Sequence, residues 1–195
     1  MPEEYEDPKV HEDVITVSLS ELLQEFGLVN TPLLLKGRIP DIYTVIDGIR
    51  VIIEVKEKGE EEALEKQLRT RLEENMCELA VGALYPKRVA ESPLAPPTAE
   101  EVKNRLLQAK LDIIALAPTL NGLKFLIKGE PYFVHQLPGL LRRLSHEALP
   151  DKEVKEAVER IKRGIDIFVQ GINELNPEHV KEIARTIKEV LESVG

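Results

Sequence analysis

Apolar and polar residues alternate most regularly between Ile42 and Val55, where two β-branched runs flank Asp47-Gly48. Asp-Gly between such runs favours a two-residue turn of type I′, so the stretch predicts a β-hairpin. With Ile46 paired to Ile49, every paired position sums to 95, and Asp41 falls opposite Glu54. One face then carries Ile42, Thr44, Ile46, Ile49, Val51, Ile53 and Val55 and is suited to a core. The other face gathers Asp41, Glu54 and Lys56, since residues two apart project the same way.

Around this hairpin the pattern shifts between the two periods. A short helix is expected from Ser18 to Phe26, with Ser18 or Ser20 as cap and Leu19, Leu22, Leu23 and Phe26 inward. A short strand is expected from Leu33 to Lys36. After Lys56 an acidic run opens a helix ending near Glu74, striped by Leu64, Leu68 and Leu72. Cys77 to Tyr85 reads as a buried strand, parallel to the hairpin's second strand through that helix. Thr98 and Glu101 form a capping box for a helix to about Lys110. Leu111 to Ala117 is a further strand, and Asn121-Gly122 a turn into Leu123 to Lys128, with Tyr132 to His135 as an extension.

From Gln136 the pattern is helical. Leu137, Leu140, Leu141 and Leu144 form one stripe, and Pro150-Asp151 precedes a long helix to about Asn173. Asn176-Pro177 caps a last helix bearing Val180, Ile183, Ile187, Val190, Leu191 and Val194. The expected organisation is an acidic tail over 1–13, an α/β domain over 14–149 and a helical hairpin over 150–195. The α/β domain has a mixed central sheet flanked by helices. The hairpin needs a cover for its apolar stripe: the α/β unit, a second copy in a homodimer, a partner subunit or a downstream domain.

Composition narrows the class. The chain has 195 residues and 43% hydrophobic content, enough for one core and a small accessory unit. No apolar run is long enough to span a membrane, the acidic N-terminus is unlike a signal peptide, and Cys77 is the single cysteine. A cytoplasmic protein without a disulfide framework is expected. One cysteine and four scattered histidines make a zinc site a poor fit. The net charge of −9 is concentrated outside the central region, which is neutral with 17 acids and 17 bases over 26–150. No basic stripe marks a nucleic-acid face, so affinity would come from local cationic clusters, bound metal or a partner.

The acidic face of the hairpin carries the candidate chemistry. Non-hydrogen-bonded partners in an antiparallel pair bring their Cα atoms to about 4.5 Å. Two carboxylates at such range repel by on the order of 4 kcal/mol at an effective dielectric near 20. A hard divalent cation turns that repulsion into a site, because Mg²⁺ takes carboxylate and water oxygens. The plainer alternative is an edge hairpin in which Lys56 offsets both acids.

Pro40-Asp41, twelve residues and then Glu54-Val55-Lys56 resembles the PD-(D/E)xK nuclease superfamily. Gly37-Arg38-x-x-Asp41 followed by Ile-Ile-Glu-Val-Lys is similar to its restriction-enzyme and RecB-like branches. The resemblance covers roughly 14–135. It implies a restriction-endonuclease-like fold, with Asp41, Glu54 and the Val55 carbonyl holding Mg²⁺ (or Mn²⁺ in its place) and Lys56 acting on the attacking water. A helix before the hairpin often supplies another acid in that family, here Glu21 or Glu25, with Glu21 favoured. Gln67 matches a glutamine of the RecB-like branch, while Arg71 stands where that branch has tyrosine. Gln67 and Arg71 also read as an ordinary polar pair on a helix surface. Arg38, Arg71, Lys87 and Arg88 are candidate contacts to substrate phosphate. The expected activity is metal-dependent hydrolysis of DNA phosphodiesters in a restriction, defence or repair setting. The alternative is a non-cleaving module that keeps the fold for nucleic-acid binding or scaffolding.

Overall fold

A computed structural model of the chain describes residues 8–33, 39–119, 121–148, 152–172 and 177–194. Contacts divide it into two units, Met1–Leu149 and Pro150–Gly195. The expected strand at 33–36 falls mostly on residues outside those described. The larger unit is an α/β domain with a six-stranded mixed sheet. In chain order its elements are α1 (Glu12–Glu25), β1 (Thr31–Pro32), β2 (Ile42–Ile46), β3 (Ile49–Glu57), α2 (Glu61–Glu73), β4 (Leu79–Tyr85), α3 (Ala99–Gln108), β5 (Lys110–Thr119), β6 (Gly122–Phe133) and α4 (Leu137–Glu147). The spatial order of the strands is their order in the chain. All neighbours are antiparallel except β3 and β4, which run parallel with α2 as their crossover.

The hairpin has the expected register, with Ile42 facing Ile53 and Ile46 facing Ile49. Asp47 and Gly48 both take positive φ, 51° and 83°, as a type I′ turn requires. β3 is buried from Val51 to Val55 because helices cover both faces of the sheet. Its odd-numbered residues Val51, Ile53 and Val55 join α1, α3 and α4 in the larger core, with Ile15, Leu19, Val102, Leu106 and Leu141. Its other face packs Ile52 with Ala80 and Leu84 of β4 beneath Leu64, Leu68 and Leu72 of α2.

α1 is longer than its leucines alone predict. It starts at Glu12, capped by the His11 side chain, which accepts from the Asp13 N–H. Ser18 and Ser20 are therefore interior helix residues, and Ser20 Oγ donates to Asn30 Oδ1 at 2.5 Å. The physical reason is Ile15: it continues the inward stripe one turn back and is fully buried. Residues 8–13 are accordingly more than a loose tail. The Val10 N–H donates to the Ala90 carbonyl, and Lys9 pairs with Glu91 at 2.9 Å. The capping box at Thr98 and Glu101 forms as predicted, and β6 joins the two expected segments but ends at Phe133, where Val134–Gln136 turn into a 3-10 helix.

Gly82 sets how closely α2 approaches the sheet. It lies opposite Glu54 in the β3–β4 ladder, and a Cβ there would stand 2.5 Å from Leu64 Cδ2 and 2.8 Å from Leu64 Cγ. Leu64 is itself fully buried and has no free space to retreat into. Gly82→Ala is expected to destabilise the domain by about 1–3 kcal/mol through overpacking. Urea unfolding beside wild type measures this, and an unchanged midpoint would contradict the close approach.

Candidate active site

β2 and β3 place Asp41 and Glu54 at the mouth of the hairpin, on the face covered by α2. Asp41 lies one residue before the paired part of β2, and its Oδ2 accepts the Val55 N–H at 2.7 Å. The two carboxyls face one another within hydrogen-bonding reach. Glu54 is only 1% exposed. Burial, reinforced by the Asp41 charge and opposed by Arg71, pushes the Glu54 carboxyl up to about 7. Burial also raises Asp41, against the opposing pull of the Val55 N–H and the Lys56 charge.

Arg71 is turned into this site rather than toward solvent. Its Nε donates to Glu54 Oε1 at 2.6 Å, and its Nη2 donates to the Ile39 carbonyl at 3.0 Å. The arginine expected as a phosphate contact is thus buried against a site carboxylate. A buried carboxylate demands a cation or a proton, and the last turn of α2 supplies the cation. Gln67 lies one turn earlier on α2, and its Oε1 is a buried oxygen with no hydrogen-bond partner.

Lys56 projects from the same face of β3 as Glu54, and its ammonium meets Glu12 Oε1 at 2.6 Å. Burial acts to lower the Lys56 pKa. The hydrogen bond and charge of Glu12, with Asp41 behind them, outweigh it and leave the ammonium above its ordinary value. α1 therefore brings an acid to the site, and it is Glu12 rather than Glu21. Glu21 lies two and a half turns further along and pairs with Lys103 of α3, as does Glu25 at 3.6 Å. Glu12 escapes a sequence reading that assigns residues 1–13 to a tail. The signal for it was Ile15, which extends the helix back to that acid.

Lys87 and Arg88 are exposed on a 3-10 turn directly after β4. Since β3 and β4 are parallel, this turn lies at the same end of the sheet as Lys56. The Lys87 ammonium stands 3.8 Å from Glu57, which also takes Lys9 at 3.4 Å. Arg38 lies outside the described residues. Among the described residues no three acids, histidines or cysteines converge on one point, and no helix is long and apolar enough to cross a membrane.

The donor set nonetheless suits a hard cation. Asp41 and Glu54 offer oxygens alone, their mutual repulsion is relieved by positive charge, and Mg²⁺ is commonly held by one or two carboxylates with water completing its shell. Compared with known proteins, the chain matches no family model and no curated sequence.

The raised Glu54 carboxyl makes stability depend on pH. Between its unfolded value of 4.5 and its folded value of about 7, the folded state binds more protons than the unfolded one. Stability therefore falls as pH rises through that window. Metal-free protein is expected to melt at lower temperature at pH 8 than at pH 5. Arg71→Met is expected to cost about 3 kcal/mol at pH 8, by leaving a buried charge unpaired, and less at pH 5, where Glu54 is protonated. Urea titrations at both pH values measure the difference, and an equal cost at each would refute it.

Proposed function

We propose that the chain is a Mg²⁺-dependent nuclease that hydrolyses DNA phosphodiesters, with its centre at Asp41, Glu54 and Lys56. The observation that carries this reading is the hairpin register, which sets two carboxyls face to face with an ammonium two residues on. Asp41 and Glu54, with the Val55 carbonyl, would hold the cation, and Mn²⁺ would substitute for it. When bound, the cation supplies Lewis-acid polarisation of the scissile phosphate and lowers the pKa of water at the site.

The chain's own groups do the rest. Lys56, kept protonated by Glu12, donates hydrogen bonds and positive charge to the phosphate oxygens as negative charge grows in the transition state. It acts by charge and orientation rather than as a base. Water attacks phosphorus and gives up a proton to solvent, the bond to the leaving sugar oxygen breaks, and that oxygen takes a proton from solvent. Gln67, whose buried carbonyl oxygen lacks a donor, would be completed by a donor of the bound substrate or water. Lys87 and Arg88 stand at the same end of the sheet to meet backbone phosphates. A restriction, defence or repair role follows from the resemblance alone, as does DNA rather than RNA as substrate.

The Arg71–Glu54 pair favours a second reading, in which the fold binds nucleic acid or scaffolds a complex without cutting. In that case the guanidinium permanently occupies the place of the cation. Calorimetry separates the two: the nuclease reading expects Mg²⁺ or Mn²⁺ binding to wild type and its loss in Asp41→Asn.

Nicking of supercoiled, linear and single-stranded DNA with Mg²⁺ is the direct test. Asp41→Ala and Lys56→Ala are each expected to lose about 10²–10³-fold in rate, the scale of removing one preorganised electrostatic group. Cleavage that persists in both folded variants would reject this centre.

A further inference from the structure

The second unit holds two helices, α5 (Lys152–Ile172) and α6 (Pro177–Val194). Their apolar residues follow an alternating three-four spacing. In α5 these are Val154, Val158, Ile161, Ile165, Phe168 and Ile172, and in α6 Val180, Ile183, Ile187, Val190 and Val194. That spacing is the seam of a coiled coil, whose inward positions repeat every seven residues. Phe168, Val180 and Ile183, near the connection between the helices, are half-buried. Further along, the seam lies open: Ile161 is 62% exposed, Ile165 54%, Ile187 46% and Val190 56%.

Three features indicate what closes it. β-branched residues fill nearly every inward position of both helices, a choice that favours bundles of more than two strands. Apart from Lys155, Lys162 and His179, the positions flanking the seam, where two-stranded coils carry charges, are uncharged, among them Ala157, Val169, Ala184 and Leu191. These broaden the apolar stripe to the width of a bundle helix touching two neighbours. Finally, five large residues on this stripe stand open, the four above with Leu191 at 69%. At roughly 100 Å² for each fully buried aliphatic side chain, they offer several hundred Å² per chain. Two copies thus approach the ~1,000 Å² of a specific interface.

We propose that α5 and α6 close into a four-helix bundle with α5 and α6 of a second copy of this chain. Each copy contributes two of the four helices, so a two-fold axis satisfies both open seams with one self-complementary surface. Charge is compatible with pairing α5 of one copy to α6 of the other. α5 carries five bases and four acids, and α6 three bases and four acids.

The test is the solution mass of the full chain by light scattering and sedimentation, from 1 to 100 µM. The expected mass is twice the 22.0 kDa of one chain. Ile165→Glu and Ile187→Glu, made separately, are each expected to weaken dimerisation by at least 100-fold. Arg185→Glu, at a side chain 83% exposed away from the seam, is expected to leave it unchanged. Urea unfolding of each variant confirms that the α/β unit remains folded. A wild-type chain that is monomeric at 100 µM would overturn the proposal and point to a different protein as the cover. A dimer indifferent to both glutamates would overturn it equally.

Discussion

A carboxylate buried in the middle of a sheet is an expense that the surrounding structure must offset, and much of this domain is arranged around Glu54. The residue sits on a central strand, covered by α2 and 1% exposed. Left alone there, its charge would be driven off by protonation. Arg71 meets it from the end of α2, Asp41 shares its space from the hairpin mouth, and Gly82 on the next strand removes the side chain that would hold α2 away. The helix, the ladder and the site are thus parts of a single packing solution. The buried carboxylate lies opposite the glycine at which α2 comes closest to β4.

Two acids and two bases form linked pairs in this region, Glu54 with Arg71 and Lys56 with Glu12. The pairs differ in character. Arg71 and Glu54 are both buried, so their geometry is fixed by packing and by the Ile39 carbonyl. Glu12 and Lys56 lie nearer solvent, with side chains 35% and 20% exposed. An anion competing for Lys56 would meet a partner that water can solvate once released. Competing for Arg71 would strand Glu54 in the interior. The two cations therefore divide the work: Arg71 holds the site together, and Lys56 can be addressed from outside.

How much of this is legible in the sequence follows from how local each determinant is. The hairpin register is written in two β-branched runs and one Asp-Gly pair, so the meeting of Asp41 and Glu54 could be read directly. The capping box at Thr98 and the leucine stripe of α2 are local in the same way. The role of Arg71 is not local, because a 3.6-residue period places it beside the stripe without saying whether it faces water or a buried acid 17 positions earlier. Glu12 was hidden by composition: a run of acids and prolines reads as solvated tail, and the single inward Ile15 is a weak counter-signal. Glu21 lies on the helix that the leucines define, yet it meets Lys103 of α3, a contact no periodicity encodes.

The Asp47-Gly48 turn also bears on how this site can vary over generations. Asp41 and Glu54 meet because strand pairing places them together, while the turn only returns the chain. Extra residues at the turn would lengthen a loop and leave the partners of Ile42 and Ile53 unchanged. One residue added or lost between Asp41 and Ile46 would instead turn the aspartate toward the hydrocarbon side of the sheet. A single-residue change of length in this segment is thus tolerated at the tip and not within the strand.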